Sequence, residues 1–175
     1  MIFIRPLYDE SGLVPGSESE KMIYPYLENL IRTKRILSVY TPGEGGIAEA
    51  VLKMALGNGI GFRFGKISAE ELTQYLYGSF IAELADGVKF EDVQAVPGKK
   101  IDIDESGAAE IPGGARVSLL GVTADDGCIS AGIEEADGIS QSVSLEELRT
   151  LWEDKLEPIF ICNHDVIKKE TSQQN

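Results

Sequence analysis

The sequence predicts an α+β domain in which a mixed β-sheet is covered by helices. Three observations carry that prediction. Apolar runs of strand length alternate with stretches whose apolar residues recur at helical spacing. Serine-led capping signatures mark helix starts in both halves of the chain. Late in the chain the turn-rich Ala124-Asp125-Asp126-Gly127 lies between two apolar runs, as in a hairpin, which adds antiparallel pairing to the alternation.

The elements follow in order. Met1 to Arg5 reads as a strand, and Ser17 to about Arg35 as a helix with Ile23, Leu27, Leu30 and Ile31 on one stripe. Ser17 and Glu20 offer a capping box, but Pro25 lacks an interior N–H, so the regular helix is expected to begin only near Pro25. Ile36 to Tyr40 is almost continuously apolar and reads as a central strand. The helix from about Gly46 to Leu56 is expected to bury Ile47, Val51, Leu52 and Ala55, with Gly57-Asn58-Gly59 ending it. Ile60 to Phe64 alternates as a strand, Ser68-Ala69-Glu70-Glu71 opens a short helix to about Tyr75, and Ser79 to Ala85 is another strand.

From Asp86 to Ala115, Pro97-Gly98, Ser106-Gly107 and Pro112-Gly113-Gly114 punctuate short apolar pieces compatible with a hairpin excursion or a loop. Val117 to Val122 and Cys128 to Ile133 then read as paired strands. A last helix starts at the capping box Ser144-Leu145-Glu146-Glu147 and is expected to turn Leu145, Leu148, Leu151 and Trp152 inward. One domain over residues 1–162 is expected, followed by a polar linker tail over 163–175.

Composition excludes several classes of function. The chain has 175 residues, 43% hydrophobic and 26% charged, and a formal charge of -13, which disfavours nucleic acid and anionic membrane as partners. No apolar run approaches the ~18 residues of a membrane span, and Met1 to Ile4 is too short for a signal peptide before Arg5 and Pro6, so a cytoplasmic location is expected. Cys128 and Cys162 are too few for a disulfide framework and read as buried, inert thiols. His164, alone beside Asp165 in the polar tail, assembles no catalytic triad, and neither cysteine sits in a nucleophile elbow. Asp102, Asp104 and Glu105 lack the spacing of a calcium loop.

The most informative stretch runs from Ser38 to Val51, where an apolar strand passes through Thr41-Pro42-Gly43-Glu44-Gly45-Gly46 into an amphipathic helix. Glycines let backbone N–H groups approach a ligand, and a helix N-terminus adds donors and a positive dipole end. Such a layout either cradles a phosphate or simply makes a tight strand-to-helix turn. The candidate substrate- or nucleotide-binding residues are Thr41, Gly43, Glu44, Gly45 and Gly46. No catalytic residue and no metal ligand is assigned. A carboxylate at Glu44 is also stabilised by the helix dipole without any ligand, and Glu49 reads as solvated.

Tyr40 to Ile47 resembles, without a gap, the loop of the aminoimidazole ribonucleotide synthetase-related family, whose C-terminal domains usually read His-Asp-Val-Ser-Asp-Gly-Gly-Leu before an alanine-rich helix. Leu76 to Leu84 is similar to that family's glycine turn entering a strand, and Leu119-Leu120-Gly121-Val122-Thr123 to a late strand. Leu148 to Glu153 and Leu156 to Phe160 resemble the join preceding the glutaminase domain in large single-chain phosphoribosylformylglycinamidine synthases. The resemblance implies a C-terminal synthetase-type domain lining a nucleotide or substrate cleft in the ATP- and glutamine-dependent conversion of formylglycinamide ribonucleotide to its amidine, in purine biosynthesis. It implies ATP and Mg²⁺ for the full-length enzyme and none firmly for this chain, which alone is expected to be inactive. Its implied partners are the synthetase N-terminal-type and glutaminase domains. The alternatives are a non-catalytic docking module of the same enzyme and a related ATP-using enzyme such as a selenophosphate synthetase or thiamine-phosphate kinase. Two departures stand out: Tyr40-Thr41 replaces His-Asp, which removes a metal-holding carboxylate, and the turn before Ser79 is shorter. Apolar surface near Tyr40 and Pro42 is expected to face outward and to favour a homodimer of the chain.

Overall fold

A computed structural model of the chain describes residues 1–94, 108–111, 113–133 and 140–155. The elements are β1 (Ile2–Arg5), α1 (Ser17–Arg32), β2 (Ile36–Tyr40), α2 (Gly46–Asn58), β3 (Gly61–Ile67), α3 (Ala69–Thr73) and β4 (Phe80–Leu84), then α4 (Phe90–Val93), β5 (Ala109–Glu110), β6 (Arg116–Leu119), β7 (Gly121–Ala124), β8 (Cys128–Ile133), β9 (Ser140–Ser144) and α5 (Leu145–Asp154). The α+β class and helical cover stand, with the strands divided between two sheets. One is antiparallel and five-stranded in the order β2-β4-β1-β6-β5; the other is mixed and four-stranded in the order β7-β3-β8-β9.

Alternation along β1 separates two cores. Ile2 and Ile4 point to the face covered by Ile23, Tyr26, Leu27 and Leu30 of α1. Phe3 points to the other face, against Ile47 and Val51 of α2 and Phe62 of the second sheet. Period-2 side chains on one strand thus hold a helix on one side and a helix plus a second sheet on the other.

Several expectations are corrected. Helix α1 is regular from Ser17, not from Pro25; Pro25 lies on the exposed face beside exposed Lys21, where water can meet the carbonyl that the ring leaves unpaired. Its N-cap is Gly16, and Ser19 rather than Ser17 serves this end, donating to Gly16 O and accepting from Leu7 N–H. Ile31 lies outside the buried stripe and Leu52 of α2 is only half-buried. Strand β2 is an edge strand, and its Leu37 and Val39 are exposed.

The run expected as one strand over Val117 to Val122 splits between the sheets at Leu120. Gly121 permits the crossing, because a Cβ there would lie 2.7 Å from the Phe62 ring. Nor do the flanking runs pair with each other. Strand β3 lies between them, antiparallel to β7 and parallel to β8. Asp126 fixes this arrangement, accepting from Arg63 of β3 at 2.8 Å and from Cys128 N–H at 3.1 Å.

In α5 the Ser144 hydroxyl accepts from Glu147 N–H as expected, and Leu145 is buried, but Leu151 and Trp152 are exposed. Of the excursion over 86–115, α4 and β5 are described; Asp102, Asp104, Glu105, Cys162, His164 and the tail lie outside the described residues. Pro42 is buried and so presents no outward apolar surface, while Tyr40 is half-buried, packing partly on the second core. Among the described residues no helix is long and apolar enough to cross a membrane.

Candidate functional site

The strand-to-helix turn between β2 and α2 closes tightly: Gly46 N–H donates to Gly43 O at 3.1 Å. Gly46 has φ +65°, and a Cβ there would lie 2.8 Å from the carbonyl oxygens of Leu72 and Gln74. Glycine is therefore required twice, by left-handed backbone and by the close approach of the end of α3. Gly46 is buried by this contact, Gly45 is half-buried, and Thr41, Gly43 and Glu44 are exposed.

The N-terminus of α2 already carries an anion. Glu49, one turn into the helix, folds back so that its Oε2 accepts the Gly45 N–H at 2.8 Å, while its Oε1 lies 2.5 Å from Lys53 Nζ. A Cβ at Gly45 would sit 2.6 Å from Glu49 Cβ, so this glycine makes room for the chain's own carboxylate. Hydrogen bonds from Lys53 and then Gly45 hold the Glu49 carboxyl below the usual glutamate range. Glu49 in turn holds the Lys53 ammonium above its usual range, with a smaller contribution from Tyr40. The Lys53 ammonium also lies 5.3 Å from the centroid of the Trp152 ring.

Glu49 is thus a cap and not the solvated residue expected. The sequence signal for it was an N-terminal glycine followed four residues later by Glu and four after that by Lys, spacings that align on one helix face. Trp152, expected in the core, instead sits outside the Lys53 end of this row.

The turn before β4 also spends its polar groups internally. The buried Ser79 hydroxyl donates to Leu76 O at 2.6 Å. Tyr8 donates to Tyr77 O at 2.9 Å, and burial first of all pushes its phenol up to about 12. Tyr75 and Tyr77 stack with centroids 6.2 Å apart.

The fit of ATP and Mg²⁺ to this chain follows from these contacts. At Gly45 a carboxylate stands where a phosphate would be held, so a phosphate must first displace Glu49. Thr41 offers a hydroxyl where metal binding calls for a carboxylate, and among the described residues no group of three His, Cys, Asp or Glu side chains could hold a metal. The described residues of this turn do not fit a nucleotide–metal complex held by the turn alone.

No family model and no curated protein matches the chain. Solved structures do match it. PurL from Thermotoga maritima complexed with AMPPCP superposes with TM-score 0.61 at 11% identity, over 84% of this chain and 24% of that one. The same protein complexed with FGAR gives TM-score 0.62 at 10% identity, over 84% of this chain and 27% of that one. A HypE–HypF complex gives TM-score 0.52 at 13% identity, over 82% of this chain and 52% of that one. At such identities the likeness is one of fold. The chain spans about a quarter of the length of the PurL chains it matches.

Proposed function

We propose that this chain is a C-terminal synthetase-type domain of a phosphoribosylformylglycinamidine synthase, and that Thr41, Gly43 and Glu44 form part of the wall of its nucleotide or substrate cleft, with Gly45 and Gly46 setting the shape of the turn. The observation that carries this reading is the placement of the Tyr40–Ile47 loop at the strand-to-helix junction of a fold that superposes on PurL over 84% of the chain. PurL itself has been solved with AMPPCP and with FGAR. In this reading ATP and Mg²⁺ are held chiefly by other domains of the enzyme, because phosphoryl transfer needs charge and positioning that the loop lacks. The chain's own contribution is shape, exposed polar groups on the loop and a surface on which neighbouring domains dock.

Assays of ATP- and ammonia-dependent amidine formation test the reading in two forms. The chain alone is expected to give no turnover, and the chain joined to a synthetase N-terminal-type domain is expected to give turnover that Glu44→Ala or Thr41→Ala reduces. Turnover by the chain alone, or a joined protein indifferent to both substitutions, overturns it.

One observation favours a second reading, that of a docking module without ligand contacts. Glu49 already satisfies the Gly45 amide, so the loop is complete without a ligand. Under that reading neither substitution alters turnover of the joined protein, while domain association persists.

A further inference from the structure

A cavity of about 170 Å³ lies between the C-terminal half of α2, the β2–β4 edge of the five-stranded sheet and the β3–β7 end of the second sheet. Each wall follows from a periodicity. Val51, Met54, Ala55 and Asn58 recur at helical spacing and turn one face of α2 toward the space. Register places Ser38 opposite Glu83 and Tyr40 opposite Ile81, on the sheet face that α2 covers. From the second sheet, Phe62 and its cross-strand partner Thr123 complete the enclosure. Val51, Ala55 and Phe62 are buried and form the floor, while Val39, Asn58, Ile60 and Thr123 are exposed and stand at the mouth.

A carboxylate stands on the sheet wall above this apolar floor. Glu83 Oε2 accepts the Ser38 hydroxyl at 2.9 Å, a bond that fixes the direction of the carboxylate. A carboxylate offers about four acceptor positions, and one hydroxyl takes one of them. The Met1 amino group shares this wall: it donates to Gly121 O at 2.7 Å, and burial lowers its pKa while the Glu83 charge raises it by less. A ligand N–H at Glu83 would add to these contacts. The floor sets the rest of the ligand's character, because a charged group would lose hydration there without return, whereas an uncharged ring gains by leaving water. Size sets its limit. A dry apolar cavity of about 150 Å³ holds a benzene ring, so this space, open at its mouth, has room for a small aromatic of one or two fused rings.

We propose that this cavity binds a small, flat, uncharged aromatic molecule bearing an N–H group. The ring lies against Val51, Ala55 and Phe62, and the N–H donates to the Glu83 carboxylate. The inference stands apart from the family reading, since it uses neither the glycine turn nor the neighbouring domains.

Indole and benzofuran, which carry an N–H and an oxygen at the same ring position, test it when each is titrated into the ¹⁵N-labelled chain. Indole is expected to move the amides of Val51, Ala55, Phe62 and Glu83 and to leave Gly45 in place. Benzofuran should move the same amides with about tenfold weaker binding, the loss of one hydrogen bond to a charged acceptor. Ala55→Leu, which reaches into the space from α2, should abolish binding of both. Glu83→Gln keeps the shape of the wall and should weaken indole about fivefold with benzofuran unchanged, and it provides the test if the filled variant does not fold. Absence of shifts with millimolar indole, equal affinities for indole and benzofuran, or undiminished indole binding by the folded variants would overturn the proposal.

Discussion

The glycine turn before α2 and the pocket lined by Arg5, Lys66 and Arg116 arrange polar groups in different ways within one fold. The turn has every backbone feature associated with anion binding, yet its charge preference is met from within by Glu49 at 2.8 Å from Gly45 N. The pocket has no glycine loop, and Arg5, Lys66, Arg116 and Glu71 are among the described residues that line it. The difference teaches that a helix N-terminus is a site for anions in general, and a glutamate one turn downstream is an anion.

The comparison can be broken first at Gly46. If its packing under α3 closes the turn, Gly46→Ala should cost about 2–4 kcal/mol in urea unfolding, through a left-handed φ and a Cβ forced onto two carbonyl oxygens. A cost below half a kcal/mol, on the order of an ordinary surface change, would show the turn to be loose.

Glu49→Gln should cost less, about 1 kcal/mol at neutral pH, as for loss of a helix cap and a partly buried ion pair. The pH dependence has a fixed sign. The folded carboxyl lies below its ordinary 4.5, so its contribution is present above that value and is lost as pH falls through the folded value. The difference between wild type and variant should therefore shrink on acidification. A constant difference would remove Glu49's charge from the account. Lys53 works the other way: its raised value keeps its contribution below its ordinary 10.5 and loses it in stronger alkali.

Trp152→Ala should lower stability by only about 0.5 kcal/mol, since the Lys53 contact is exposed. The smallest effect belongs to the pocket. Arg5→Gln, at a half-buried position at the end of β1, should change stability by no more than about half a kcal/mol in urea unfolding, and a larger loss would show that its side chain is needed for packing.

Much of the first half of the chain was legible because local rules coincide there. Ser68 and Glu71 cap each other as their spacing implies, and Gly59 ends α2 at φ +68°. Where the sequence misled, the reason was non-local. The apolar content of Ile36–Tyr40 suggests a central strand, but a strand with one face on a core and an open edge has the same composition. The Asp125–Gly127 turn looks like a hairpin connection, yet β3, some sixty residues earlier in sequence, inserts between its arms. Nothing local to residues 117–122 marks the change of sheet at Leu120 except Gly121. At the site, glycine spacing located the turn but not its occupant, because residue spacing does not say whether Glu49 bends back or points to water. Arg5, Lys66 and Arg116 are scattered through the chain, and only strand register brings the two arginines opposite one another.

The most direct measurement is the Gly45 amide proton, followed by NMR on acidification and then, at neutral pH, on addition of inorganic phosphate. A turn closed by its own carboxylate predicts a shift with a midpoint below the ordinary glutamate range, abolished in Glu49→Gln, and no movement with phosphate. A Gly45 amide indifferent to acid, or one that moves with phosphate, would contradict the account.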